Sequence, residues 1–210
     1  MKRIGIILNR WKASYKDYPL YGFKTDLIEF LRKYDINVLA IPILFENDIN
    51  SEFKAIKDVI DLCDGIIIPG GAYIHDIDYE IVKYLYKENK PTLGICLGMQ
   101  IMGKTFNNKV RNEIEGNNHN KTDKYVHNIY IKKDSKLYEI IKEETIKVNS
   151  RHKRYIPYTN LDISAYSEDN IPEAIEDKSK RFFLGVQWHP ESLIDDTYSD
   201  RLFSAFIQSL

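Results

Sequence analysis

The sequence predicts an α/β protein, a three-layer sandwich with a mostly parallel central sheet flanked by helices and a small additional antiparallel strand region. Short apolar runs bounded by turn residues alternate with stretches of helical period. Those runs are continuously apolar rather than alternating, as expected of parallel strands covered on both faces. The 210 residues suit one domain over 1–210 and can bury a core without disulfide staples.

Residues 4–8 read as the first buried strand. Phe23, Leu27, Ile28, Phe30 and Leu31 follow at helical spacing, then a branched strand at 38–43. Ile56, Val59, Ile60 and Leu62 mark a second helix, and Gly65-Ile66-Ile67-Ile68 a strand that stops at Pro69-Gly70-Gly71. Ile81, Val82, Tyr84 and Leu85 form the next helical stripe, and 92–95 the next strand. From 107 to 123 the chain is polar and loop-like. Shorter strands, some antiparallel, are expected at 125–132, 145–148, 161–166 and 182–187, before an amphipathic helix carrying Leu202, Phe203, Phe206, Ile207 and Leu210.

With 30 Lys+Arg against 31 Asp+Glu, the net charge of −1 offers no field to attract a nucleic acid or an anionic membrane. No stretch is long enough to span a bilayer, and the apolar start ends too soon for a signal segment. Two cysteines, Cys63 and Cys96, are too few for a disulfide framework. A soluble, cytoplasmic protein is the expectation.

The sharpest chemical signal is Gly94-Ile95-Cys96-Leu97-Gly98-Met99-Gln100. Glycines two residues either side of the cysteine permit a tight strand-to-helix turn, as in the nucleophile elbow of serine hydrolases. The following helix aims its first amides and positive dipole end at the sulfur, which favours an anion there. A thiolate nucleophile needs a base, and the base an orienter. Val186-Gln187-Trp188-His189-Pro190-Glu191 supplies both. If that segment is extended, His189 and Glu191 lie on one face, with Glu191 accepting from one imidazole nitrogen and the other left free for the thiol. The Gly70–Gly71 pair can present backbone N–H groups to a ligand at the carboxyl edge of the sheet. Read alone, each piece has a plainer alternative: a buried core cysteine, an incidental surface turn, a ligand-free glycine turn.

Together and in this order, the three pieces resemble the class I glutamine amidotransferase superfamily over almost the whole chain. The resemblance implies a flavodoxin-like fold and a Cys96–His189–Glu191 triad. It also implies an oxyanion hole from the Gly71 and Leu97 amides, and Gly70 and Gln100 holding the glutamyl group. Neither a metal nor an organic cofactor is implied. Within the superfamily, Ile4-Gly5-Ile6-Ile7-Leu8-Asn9-Arg10, Asn149-Ser150-Arg151-His152 and Glu173-Ala174-Ile175-Glu176 are most like the stand-alone γ-glutamyl hydrolases. That likeness adds Ser150, Arg151 and His152 as substrate contacts. The loop after Gly71 is shorter than in many such hydrolases, and Lys153-Arg154 replaces the more usual His-Gln.

The expected reaction is cleavage of a γ-glutamyl amide through a thioester on Cys96. Arg151, Lys153 and Arg154 suit a leaving group bearing phosphate or carboxylate, and a solvated basic turn is the other reading. With a charged leaving group, the chain resembles the capsule-pathway hydrolases, which implies a nucleotide-linked γ-glutamyl phosphoramidate as substrate. A glutaminase subunit that hands ammonia to a partner synthase is the competing function. His75, His119 and His127 lack metal-ligand spacing, so no metal site is expected. Trp11, Tyr15, Tyr18, Tyr21 and Phe23 either wall the pocket or pack the first helix.

Overall fold

The computed structural model describes residues 1–12, 19–43, 48–107, 111–115 and 118–210, without the side chains of 10–12 and 19–21. In chain order the elements are β1 (Lys2–Ile7), β2 (Asn9–Lys12), β3 (Pro19–Gly22), α1 (Thr25–Leu31), β4 (Ile36–Ile41), α2 (Ile49–Asp61), β5 (Gly65–Ile68), α3 (Asp76–Lys87), β6 (Thr92–Ile95) and α4 (Leu97–Thr105). There follow β7 (Asn112–Glu113), β8 (His127–Ile131), α5 (Lys136–Ile141), β9 (Thr145–Val148), β10 (Arg154–Tyr155), β11 (Asp162–Ser167), β12 (Pro172–Glu176), β13 (Phe183–Val186), a 3-10 turn (Pro190–Ser192) and α6 (Thr197–Gln208).

One sheet of nine strands runs β4-β1-β5-β6-β13-β12-β11-β8-β9. From β4 to β13 every pairing is parallel, and from β13 to β9 every pairing is antiparallel. The additional antiparallel strands are thus four that continue the same sheet. Period-two alternation sorts the strand side chains into two cores. Ile4, Ile6, Ile67, Leu93 and Ile95 face α1 and α6, where Phe30 stacks on Phe203 with ring centres 4.3 Å apart. Ile7, Ile41, Ile66 and Ile68 face α2, α3 and α4. Apolar burial on both faces is what the continuous hydrophobic runs demanded.

β12 departs from that rule. Its sequence Pro-Glu-Ala-Ile-Glu is wholly buried, carboxylates included. Glu176 repays its burial by capping α5, accepting from the Lys136 and Leu137 amides at 2.7 and 3.1 Å. Glu173 has another role, described below. Among the described residues, no helix is long and apolar enough to cross a membrane. Of the aromatic segment, Tyr15, Tyr18 and the side chains of Trp11 and Tyr21 lie outside what the structure describes.

Candidate active site

The parallel half of the sheet delivers the site. β6 ends at Cys96, whose amide still donates to the Val186 carbonyl at 2.7 Å, and α4 starts at the next residue. Cys96 itself adopts φ 52° and ψ −101°, a conformation a side chain adopts only under strain. The flanking glycines are needed for clearance. A Cβ on Gly98 would lie 1.9 Å from the Ile68 carbonyl oxygen, and one on Gly94 would lie 2.4 Å from the Met102 sulfur. As the first helical residue, Leu97 has an amide among those without a partner inside the helix.

His189 and Glu191 are both buried, with Nδ1 of the imidazole 2.6 Å from Oε1 of the carboxylate. They do not meet across an extended segment, as the sequence suggested. Pro190 opens a 3-10 turn, and the Ser192 amide donates back to the His189 carbonyl at 3.2 Å, folding Glu191 under the ring. Asn149 fixes the histidine main chain from both sides, accepting from its N–H at 2.7 Å and donating to its C=O at 2.8 Å. Burial alone would lower the His189 pKa, but the charges of Glu191 and Cys96 beside it push it up to about 10.

The glycine pair sits against both groups. A Cβ on Gly70 would come within 2.6 Å of the His189 ring. Asn9 donates to the Gly70 carbonyl at 3.0 Å, and since no peptide bond among the described residues is cis, the Gly71 N–H of that same peptide points the opposite way.

Cys96 lies where two cavities meet. The larger, about 510 Å³, is lined by Leu97, Gln100, Arg111, Arg151, Lys153 and Arg154 among others. The smaller, about 250 Å³, is lined by Phe23, Lys24, Leu27, Arg151, His189 and Glu191 among others. Gly71, Cys96 and Arg151 border both. Arg151 is held there by donating to Ser192 at 3.0 Å, and Ser192 in turn donates to Asp26 at 2.6 Å. A polar relay backs the larger cavity: Gln187 donates to the Cys96 sulfur at 3.5 Å, Gln100 to Gln187 at 3.1 Å, and Arg111 to Gln100 at 3.0 Å.

Most residues expected from sequence therefore converge, with two changes. Ser150 is fully buried and lines neither cavity, its hydroxyl donating to the His119 carbonyl at 2.8 Å. Lys153 and Arg154 lie on the side of Cys96 away from His189, and Arg154 is paired with Glu113 at 2.9 Å. Arg111, Asn149 and Gln187 were not singled out from sequence. Arg111 follows residues 108–110, in a polar stretch with no pattern to mark it. Cys63 is a buried core thiol, raised by burial and donating to the Val59 carbonyl.

Known proteins carry this architecture in the class I glutamine amidotransferase superfamily. The chain belongs to the Peptidase C26 family, whose model matches residues 74–191. A glutamine amidotransferase-like protein of Rickettsia prowazekii is 28% identical, the match covering 96% of this chain and 93% of that protein. A CTP synthase of Hydrogenobaculum is 29% identical over 77% of this chain, which spans only 36% of that enzyme. Among solved structures, the glutaminase domain of Trypanosoma brucei CTPS with bound acivicin superposes with a TM-score of 0.72 at 21% identity, covering 99% of this chain and 94% of that one. A Thermotoga maritima glutamine amidotransferase gives 0.61 at 14% identity, covering 100% and 84%. At these identities the structures speak for the fold.

Proposed function

We propose that this chain, acting as one domain over 1–210, is a cysteine-dependent hydrolase of γ-glutamyl amides. The observation that carries the reading is the buried His189–Glu191 pair beside a strained Cys96, at the junction of two cavities.

The Cys96 thiolate attacks the γ-carbonyl carbon, and the carbonyl electron pair moves onto oxygen. The Gly71 and Leu97 amides take up that charge, each contributing roughly 3–4 kcal/mol if aimed as in other oxyanion holes. His189, as imidazolium, protonates the departing amine, leaving a γ-glutamyl thioester. Neutral His189 then takes a proton from water, hydroxide adds to the thioester, and glutamate leaves as the thiolate re-forms.

The proton donor fixes the direction of the substrate. The amine must depart on the His189 side, so the smaller cavity receives the leaving group and the larger one the glutamyl moiety. Arg111 and Arg154 then face the glutamyl α-carboxylate. Burial and the neighbouring Arg154 charge lower the Arg111 pKa, a cost that an anion in the cavity would remove. On the leaving-group side, Lys24 and Arg151 suit an anionic amine, including a nucleotide-linked phosphoramidate.

The similarity to CTP synthases favours a second reading, a glutaminase supplying ammonia to a partner synthase. Glutamate release by the purified chain separates the two, using glutamine and γ-glutamyl amides with neutral and phosphorylated leaving groups. Strong turnover of one γ-glutamyl amide over glutamine supports the hydrolase. Silence across the panel, with acivicin still alkylating Cys96, transfers support to the partner-dependent glutaminase.

A further inference from the structure

Behind the wall of the larger cavity, His119, His127, His152 and Glu173 bring one nitrogen or oxygen each to a common point, all within 4.8 Å of one another. The four come from separate segments, which is why their spacing in sequence gives no metal signature. Glu173, His119 and His152 are buried, and His127 is 11% exposed at the side chain, leaving a route in from solvent.

Hydrogen bonds fix what each inward atom can do. The His127 Nδ1 lies 3.1 Å from the Asn128 carbonyl and the His152 Nδ1 lies 3.1 Å from the Arg154 carbonyl. A carbonyl only accepts, so both Nδ1 atoms carry the proton. The His119 Nε2 likewise faces the Asp169 carboxylate at 3.0 Å, and Asp169 is itself held by Ser167 at 2.5 Å. With the outward nitrogens protonated, His119 Nδ1, His127 Nε2 and His152 Nε2 all present lone pairs inward. Their target is Glu173 Oε1, at 3.3, 3.6 and 3.4 Å. It is an acceptor too. Neither Glu173 oxygen nor His127 Nε2 has a well-formed hydrogen bond.

Four converging acceptors repel one another unless a cation sits between them or a ring takes a second proton. Burial opposes that proton on His119 but the Glu173 and Asp169 carboxylates favour it, so the site holds either a proton or a metal ion. The spacing suits one. A tetrahedral ion with bonds of about 2.0–2.1 Å holds its ligand atoms about 3.3–3.4 Å apart, and His119 Nδ1 to His152 Nε2 is also 3.3 Å. Imidazoles whose far nitrogens are held by a carboxylate or carbonyls are the usual outer support of zinc ligands.

We propose that His119, His127, His152 and Glu173 form a divalent-metal site, of Zn²⁺ type, that binds one ion per chain. A ring of three imidazoles and a carboxylate with no thiolate suits Zn²⁺ and, as a probe, Co²⁺. The ion joins β8, β12 and the 119 and 152 segments. It thereby braces the 149–154 stretch, which holds the His189 main chain through Asn149 and lines the larger cavity through Arg151, Lys153 and Arg154.

The test uses the full chain with Cys96→Ala, so that the Cys96 sulfur cannot capture the probe. After chelator treatment, Co²⁺ is titrated in and read by visible absorption, then displaced with Zn²⁺. Metal content is measured on protein never exposed to chelator, and the melting temperature with and without Zn²⁺. Expected are one equivalent of Co²⁺ with the intense bands of a tetrahedral site, a higher melting temperature with Zn²⁺, and affinity reduced at least tenfold in both Glu173→Gln and His127→Ala. His127, the least buried ligand, keeps the test informative should Glu173→Gln fail to fold. Folded protein that takes up no stoichiometric Co²⁺ or Zn²⁺ overturns the proposal, as does binding unchanged by His127→Ala.

Discussion

Two buried carboxylates sit beside imidazoles in this molecule, in the two halves of one sheet. Glu191 faces a single ring, His189, at the end of the parallel strands. Glu173 faces three rings from within the antiparallel strands. What the ring nitrogens face separates them. At Glu191 one Nδ1 proton satisfies one oxygen and leaves Nε2 free for the reactants, an arrangement suited to moving a proton. At Glu173 the outward nitrogens face acceptors of their own, and the inward atoms converge on one point, an arrangement suited to holding a cation. The same residue types therefore serve transfer in one place and retention in the other, according to where the ring's far nitrogen is tied.

The widest gap between the two centres is expected from Cys96→Ala. Turnover should fall by at least about 10⁴-fold with circular dichroism and metal content unchanged. Substantial residual glutamate release removes Cys96 from the nucleophile's role. Glu191→Gln should lower kcat by roughly 10³-fold, less than loss of the nucleophile, because the ring keeps its proton-transfer capacity but loses its anionic orienter.

That variant also has a pH signature. His189 is raised from 6.5 to about 10 in the folded chain, so it binds its proton more tightly folded than unfolded. Its stabilisation is complete below about 6.5 and is lost as pH climbs through about 10. Melting temperature should fall across that window in the wild type, and the fall should weaken or shift to lower pH in Glu191→Gln. Identical pH–stability curves would show that something other than Glu191 raises His189.

Arg111→Met addresses the cavity rather than the proton. KM for a γ-glutamyl amide should rise about 10–100-fold, the range for losing a charged hydrogen-bond partner, with kcat nearly kept. A change in kcat alone would place Arg111 elsewhere in the cycle. Smallest is Asn149→Ala, which removes both contacts to the His189 main chain. A loss of about 1–3 kcal/mol in stability and a several-fold lower kcat are expected, measured by denaturant unfolding and steady-state rates.

The parallel half was legible because its strands are apolar on both faces and its elbow needs glycine at 94 and 98. β5 and β6 fall at the predicted residues. The antiparallel half was harder to read. β12 was not read as a strand because Glu173 and Glu176 break its apolar pattern, and each carboxylate is buried for a reason visible only in three dimensions: α5 needs a cap and three histidines need a partner. α5, at six residues, is too short to show a helical period. His189 and Glu191 were identified correctly as a pair, yet through the wrong local geometry, since Pro190 starts a turn. Ser150 shares a motif with His152 but lines neither cavity, because its hydroxyl is tied inward to the His119 carbonyl.

The backbone angle at Cys96 has an outcome for durability. Glycine normally weakens a protein relative to alanine, because it has more freedom to lose on folding. At φ 52° that order should reverse, since glycine accepts the angle freely and alanine keeps the strained Cβ. Cys96→Gly should be more stable than Cys96→Ala by on the order of 1 kcal/mol, and so melt at a higher temperature. The residue best suited to hold the turn and the residue able to react there are thus different amino acids, and a working protein of this design is held below its own attainable heat tolerance.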